Sequence, residues 1–151
     1  MKKVIAPLVL GAALFATPVL AKAAHHTSVM HAGRTMSVTY EPRFKTSHKQ
    51  TGIGPRASAG CLWTSRVSVE RIVTDASGQP IAALTRMIGE EKVAKGMHVG
   101  HCRHIEPRRM AAFGGDGEKL QGFVATVADR DRQSLRTELA SLDALHATNA
   151  R

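Results

Sequence analysis

The chain has 151 residues and a formal net charge of +9 at pH 7, and 22% of its residues are charged while 43% are hydrophobic. This balance excludes a wholly disordered polyelectrolyte, and the length predicts one small domain after removal of any targeting segment. The two cysteines exclude a multi-disulfide miniprotein and a four-cysteine zinc or iron–sulfur site within one chain.

Residues 1–23 have the pattern of a secretory signal peptide. Lys2 and Lys3 form a positive start, residues 4–16 form a short apolar stretch, and small residues follow at 21–24. The export machinery requires a short apolar helix behind a positive charge, and the peptidase requires small residues at the cut. The sequence therefore predicts a periplasmic or secreted protein.

The position of cleavage stays open between a cut before Lys22 and a cut before Ala24. An uncleaved anchor over residues 4–21 is the alternative, because a stretch of that length can marginally span a membrane. Removal of residues 1–23 leaves 18 basic and 12 acidic residues, so the mature chain is still basic. No other apolar run is long enough to cross a bilayer, so no transmembrane span is expected in the mature chain.

Residues 24–60 are expected to form a flexible, basic segment that contains several histidines. Large apolar side chains are sparse in it, and residues 46–60 are rich in Ser, Thr, Lys and Gly, which is typical of a disordered linker. The alternation over 36–40 indicates a short strand within this segment, ended by Pro42. The basic residues and histidines of the segment are Arg34, Arg43, Lys45, Lys49, Arg56, His25, His26, His31 and His48.

Residues 61–151 are expected to form a small α+β domain. Apolar side chains alternate with polar ones over 63–73, which predicts a half-buried strand with Arg71 on its apolar face. A turn at 75–80 and a returning strand at 81–88 complete an antiparallel β-hairpin. Three glycines predict loops or a short strand beyond the hairpin: Gly89, Gly96 and Gly100.

The C-terminal third predicts one long amphipathic helix over residues 118–146. Its apolar residues recur at helical spacing and form a stripe wide enough to cover one face of a sheet. Asp131 falls inside this stripe, so a strand at 123–127 followed by a helix from Asp129 is the alternative. The hairpin is expected to pack on the helix through Trp63, Val67, Val69 and Val73 against Leu135, Leu139 and Leu142.

Cys61 and Cys102 are expected to form a disulfide that joins the start of the first strand to the segment before the helix. The pairing closes a long loop and so lowers the conformational entropy of the unfolded chain. This effect stabilises the fold by about 4 kcal/mol. An oxidising compartment would form this bond. The alternative is a reactive Cys102 thiol, whose thiolate would be favoured by its neighbours His101 and Arg103.

The densest group of metal-binding residue types surrounds the second cysteine. His98, His101 and His104, with Cys102, offer imidazole and thiolate donors, which suit Zn or Cu. The spacing is weak, because neighbouring glycines disfavour a helix and on a strand His101 points away from the other two. No cofactor is expected, and a periplasmic Zn, Cu or Ni site at these three histidines is the alternative function.

No catalytic motif is present, so a non-enzymatic role is expected. The basic charge by itself is most simply explained as keeping the chain soluble. The alternative is an anionic partner, which outside the cytoplasm is an anionic lipid, lipopolysaccharide or another envelope polyanion. Aromatic residues make up 4% of the chain, too few for a base-stacking surface, so no specific nucleic-acid partner is expected. A second basic group follows the last cysteine at Arg103, Arg108 and Arg109.

The sequence thus predicts an exported interaction module that binds anionic envelope components or another periplasmic protein.

Overall fold

A computed structural model describes residues 23–52, 59–104 and 110–149, except for the side chains of Glu90, His104 and residues 145–149. The predicted signal-peptide residues 1–22 lie outside this part of the chain. The fold is α+β, as predicted: an antiparallel sheet is covered by one long C-terminal helix. Its elements are β1 (His25–His31), β2 (Arg34–Thr51), β3 (Gly60–Thr74), β4 (Arg86–Val99) and α1 (Gly117–Asn149).

The four strands form an antiparallel meander in the order β1-β2-β3-β4. A two-residue turn joins β1 to β2, and both of its residues, Ala32 and Gly33, have positive φ (49° and 73°), as a tight hairpin turn requires. Between β3 and β4, the Asp75 carboxylate accepts the backbone N–H groups of Ser77 and Gln79 and closes the predicted turn. The meander therefore contains only connections between neighbouring strands.

The expectation of a flexible segment over 24–60 is wrong for residues 25–51, which form β1 and most of the long strand β2. The strand passes through Pro42, which lies beyond the last residue of β2 that pairs with β1. A proline is tolerated there because its missing N–H is not needed by that neighbour. The segment looks polar because one of its faces is solvent-exposed. The side chains of the other face, such as Val38 and Tyr40, are buried only because the helix covers that face of the sheet. Residues 53–58 lie outside the described part.

The returning strand begins later and runs further than the prediction of 81–88. A 3-10 turn at Ala82–Leu84 comes first, and β4 then continues through Gly89 and Gly96, which were expected in loops. Gly89 has a φ of 73° and lies in a bulge, where residues 88–92 of β4 oppose only residues 67–69 of β3. The indole of Trp63 covers Gly96 so closely that a Cβ there would lie 2.3 Å from Cζ2.

The predicted long helix is confirmed as a single element, and the alternative strand at 123–127 is wrong. Asp116 caps its start, because its carboxylate accepts the backbone N–H groups of Glu118 and Lys119. No helix among the described residues is both long and apolar enough to cross a membrane.

The helix packs on the inner face of the sheet, which is the face that carries Arg71. The predicted partners largely meet in one buried core, which contains Val67, Val69, Val73, Leu135 and Leu139. Leu142 packs at the margin of this core, whereas Trp63 instead covers β4. Near the far end of the helix, His31 Nε2 lies 2.8 Å from Asp143 Oδ2 and joins β1 to α1.

Asp131 interrupts the apolar stripe of α1 because it binds a buried arginine. The Arg71 side chain is fully buried, and its Nη1 lies 3.1 and 2.8 Å from the two carboxylate oxygens of Asp131. Its Nε donates to the carbonyl oxygen of Leu84 at 2.9 Å, and the Tyr40 hydroxyl donates to Asp131 at 3.2 Å. Burial, and then the charge of Asp131, raise the pKa of Tyr40, so the phenol stays a donor.

Glu138 extends this network toward solvent. Its carboxylate accepts from Arg71 Nη2 and Arg86 Nη2, and the Ser134 hydroxyl donates to it at 3.1 Å. The network thus links β2, β3, β4 and α1 through one buried guanidinium. Every buried side-chain nitrogen or oxygen atom described has a hydrogen-bond partner.

Replacement of Asp131 by asparagine is expected to lower the free energy of unfolding by about 3 kcal/mol or more, because Arg71 would stay buried without its counter-charge. Urea denaturation followed by circular dichroism measures this change. Asp129→Asn is the matched control on the same helix, since Asp129 pairs with Arg132 at the exposed surface. The control is expected within about 0.5 kcal/mol of the wild type. Equal losses in the two variants would contradict the role given to Asp131.

Glu138 is expected to make the stability depend on pH in the acid range. Burial by itself would raise the pKa of this carboxyl, but hydrogen bonds and charge, first from Arg71, hold the pKa below its ordinary value of 4.5. A lowered folded pKa stabilises the fold above the unfolded pKa, and this contribution is lost as the pH falls. The free energy of unfolding should therefore decrease below about pH 4.5 less steeply in Glu138→Gln than in the wild type. Urea titrations at stepped pH measure both slopes, and identical slopes would contradict this prediction.

Candidate functional site

The predicted disulfide between Cys61 and Cys102 is confirmed. Cys61 is fully buried at the start of β3, and Cys102 begins the turn that follows β4. Gln50 braces this end of the sheet: its Nε2 donates to the carbonyl oxygen of Gly60 at 2.8 Å, and its Oε1 accepts the Cys102 backbone N–H at 2.9 Å. Both thiols are consumed, so the alternative of a reactive Cys102 thiol is wrong.

The structure does not bring the predicted metal ligands together within its described part. His98 lies opposite Cys61 near the end of β4, and His98 and His101 are both exposed. The backbone of His104 lies in the turn Cys102–His104, but its side chain is outside the described part. Among the described side chains, no group of three His, Cys, Asp or Glu residues could hold a metal ion. The Zn or Cu site at the histidines stays a prediction. Cys102 cannot be one of its thiolate ligands, because its sulfur is bonded to Cys61.

A second surface lies at the same end of the sheet, on the outer face, which α1 does not cover. Strand pairing places Lys49 beside Leu62 and Leu62 beside Met97, while the neighbouring pairs are Lys45 with Arg66, Thr64 with Lys95, and Gly60 with Val99. Cross-strand partners share a face, so these side chains are neighbours. We name this surface the outer patch and define it by Lys45, Lys49, Leu62, Lys95, Met97 and Val99.

The apolar members of the outer patch are exposed to an unusual extent. Val99 is 78% exposed, Met97 68% and Leu62 42%. Single exposed apolar residues are common, but a contiguous apolar group surrounded by polar residues marks an interaction surface. Met97 and Val99 also belong to β4, which is an edge strand of the described sheet. An apolar edge of this kind is open to a partner.

Positive charge is concentrated in the outer patch because the other cations of this face are neutralised. Arg43 lies between Glu41 and Glu70, with its Nη2 3.2 Å from the Glu41 carboxylate. Arg66 pairs with Glu91 at 3.0 Å. Among the side chains that the structure describes, no carboxylate forms an ion pair with the three lysines of the patch, Lys45, Lys49 and Lys95.

The basic residues singled out in the sequence are thus divided by the fold. Lys45 and Lys49 lie in the outer patch, Arg43 is paired, and Arg34 is exposed at the β1–β2 turn. Arg103 is exposed near the disulfide. Three of the predicted basic residues lie outside the described part: Arg56, Arg108 and Arg109.

The lysine and the apolar residues that β4 contributes were missed in the sequence. The glycines around these residues predict loops or a short strand at 97–99, and not the long strand β4 that the structure shows for Lys95, Met97 and Val99. Their spacing of two residues is the signal that could have found them, because alternate residues of a strand share a face.

Reduction of the Cys61–Cys102 disulfide is expected to lower the free energy of unfolding by about 2–4 kcal/mol. The reason is that the unfolded chain regains the conformational entropy that the cross-link had removed. Urea denaturation with and without dithiothreitol measures the change. The matched control is Cys61→Ser/Cys102→Ser, which should resemble the reduced wild type and should not respond to dithiothreitol. A wild type that is equally stable under both conditions would contradict a stabilising role for the bond.

We compared the chain with protein-family models, with curated proteins and with solved structures, and none of them matches. The function therefore has to be inferred from the outer patch, the disulfide and the distribution of charge.

Proposed function

We propose that the protein is an exported, non-enzymatic module that binds anionic surfaces of the cell envelope through the outer patch. One observation carries this proposal: three lysines without a described carboxylate partner surround three exposed apolar side chains on one sheet face. Lysines attract a negatively charged surface from a distance, and apolar side chains anchor the protein once it arrives. Each contribution is weak alone, so the combination favours an extended anionic surface over a single small ion.

The expected strength of binding follows from these two contributions. A lysine near an anionic lipid surface contributes about 1 kcal/mol at moderate salt, so three of them contribute about 3 kcal/mol. Burial of exposed apolar area adds about 25 cal/mol for each Å² removed from water. The electrostatic part is screened by salt, whereas the apolar part is not. Binding should therefore be reversible and salt-sensitive.

Export is supported by the signal-peptide pattern and by the Cys61–Cys102 disulfide. Disulfides persist in the periplasm and outside the cell, and they are rare in a reducing cytoplasm. Ala23 is buried in the core, at 3% exposed. A cut before Lys22 keeps this residue, and a cut before Ala24 removes it, so we favour the first of the two predicted cuts. The intact mass of the exported protein tests this choice.

Binding of the purified exported protein to lipid vesicles tests the proposed function. The expected result is sedimentation with vesicles that contain phosphatidylglycerol, and not with vesicles of phosphatidylcholine alone. Binding should weaken strongly in about 1 M salt, where the Debye length falls to about 3 Å. Absence of binding to anionic vesicles at low ionic strength would contradict the proposal and leave another periplasmic protein as the predicted partner.

Substitution of the three lysines locates the surface. Lys45→Gln/Lys49→Gln/Lys95→Gln should weaken binding to anionic vesicles about 100-fold, from the loss of about 3 kcal/mol. A matched variant removes the same charge elsewhere, at three exposed arginines: Arg34→Gln/Arg132→Gln/Arg136→Gln. The matched variant should bind within about tenfold of the wild type, because its cations are not in the patch. Equal weakening in the two variants would show that net charge alone, and not the outer patch, is responsible.

A further inference from the structure

A groove of about 840 Å³ lies between β4 and the first half of α1. It is on the inner side of the sheet, so it is separate from the outer patch. The bulge in β4 forms one wall, where the backbone at Gly89 approaches α1 so closely that a Cβ would lie 2.9 Å from Val127 Cγ1. Bulges of this kind bend a strand and redirect its side chains. The size of the groove is within the range of small-molecule sites.

The floor of the groove is apolar. Ile88 comes from β4, Phe113 from the 3-10 turn before the helix, and Phe123 and Val127 from α1. The rings of Phe113 and Phe123 lie 5.4 Å apart at an angle of 45°, so they form one continuous aromatic surface. Phe123 is only partly buried, and its open side faces the groove. An alkyl chain or ring in the groove would remove this surface from water.

The rim of the groove is positively charged. Lys92 Nζ lies 5.9 Å from the centre of the Phe123 ring, and Arg130 lies on the rim nearer the middle of the helix. Lys119 adds a third cation, held 3.6 Å from Asp116 at the exposed surface. Among the described side chains, no carboxylate forms an ion pair with Lys92 or Arg130.

The two carboxylates described in the groove do not cancel this charge. Glu91 is paired with Arg66 at 3.0 Å, and Asp131 is held by the buried Arg71 at 2.8 Å. Arg86, the remaining cation of the lining, is already bound to Glu138. The groove therefore presents cations beside an apolar floor, which is complementary to an anion that carries a hydrocarbon chain.

We propose that this groove binds a single-chain amphipathic carboxylate of the fatty-acid type. The chain lies along Phe113, Phe123 and Val127, and the carboxylate lies at the rim to which Lys92 and Arg130 give positive charge. This site goes beyond the proposed binding of envelope surfaces, because it takes one soluble molecule on the other side of the sheet. Either activity can therefore be absent while the other is present.

A substitution that fills the groove without weakening the fold provides the decisive test. Gly122 lines the groove, and nothing lies within 4 Å of a Cβ placed on it. Gly122→Leu puts a side chain into the groove and also improves the helix, because glycine is a poor helix former. Calorimetric titration with dodecanoate should show at least a tenfold loss of affinity in this variant, with no fall in thermal stability. Gln121→Leu is the matched control, since this neighbour is exposed but does not line the groove, and its affinity should be unchanged.

The head group is tested with Lys92→Gln/Arg130→Gln. Loss of the two rim cations should weaken dodecanoate binding at least tenfold, while dodecanol, which carries no charge, should bind equally to this variant and to the wild type. The triple lysine variant of the outer patch should bind dodecanoate like the wild type, which separates this site from the proposed surface binding. The proposal is overturned if the wild type does not bind dodecanoate below its micellar concentration, if Gly122→Leu binds it normally, or if dodecylamine binds as tightly as dodecanoate.

Discussion

The burial of one arginine is the constraint on which the rest of this structure depends. Arg71 is fully enclosed between the sheet and the helix, where an unpaired charge would be strongly destabilising. Asp131 supplies the counter-charge. Glu138 and the carbonyl oxygen of Leu84 accept further hydrogen bonds from the guanidinium, and the Tyr40 hydroxyl donates a hydrogen bond to Asp131. Apolar contacts tolerate small shifts of a helix on a sheet, but a hydrogen-bonded charged group has a fixed geometry. The network therefore sets the rotation and the position of α1 along the strands.

The position of α1 in turn determines where the inner face is open. The helix is held on the sheet by the arginine network, by Leu135 and Leu139 in the core, and by the pair of His31 with Asp143. The first half lies against β4 at its bulge, where five residues of one strand face three of the other. The backbone at Gly89 touches Val127 at this point, and the groove lies beside that contact, between β4 and α1. The same bulge turns Lys92 toward Phe123.

The outer face of the sheet is organised by charge pairing. On this face, Glu41 and Glu70 neutralise Arg43, and Glu91 neutralises Arg66. At the disulfide end no described carboxylate does the same for the lysines, and β4 ends in exposed apolar side chains. The disulfide and Gln50 hold this end of β2, β3 and β4 together, so the patch lies on a braced part of the sheet. A surface with fixed side-chain spacing loses less conformational entropy when it binds.

The sequence by itself determined the α+β class, the strand that carries Val67, Val69 and Val73, the single long helix and the pairing of Cys61 with Cys102. These features follow from local periodicity, or from there being only two cysteines. Only the tertiary structure decided that residues 25–51 form strands, because their polar outer face resembles a linker. The backbone of β2 pairs with β3, residues 60–74 of the chain, and the inner-face residues Val38 and Tyr40 are buried under α1. It also decided the roles of Gly89 and Gly96, which permit a bulge and a close ring contact within one strand. Asp131 shows the difference most clearly, because within the helix pattern it is a defect, whereas beside Arg71, 60 residues away in the chain, it is the required counter-charge. The two sites have the same origin, since each combines side chains from separate elements, and local sequence carries no record of which elements meet.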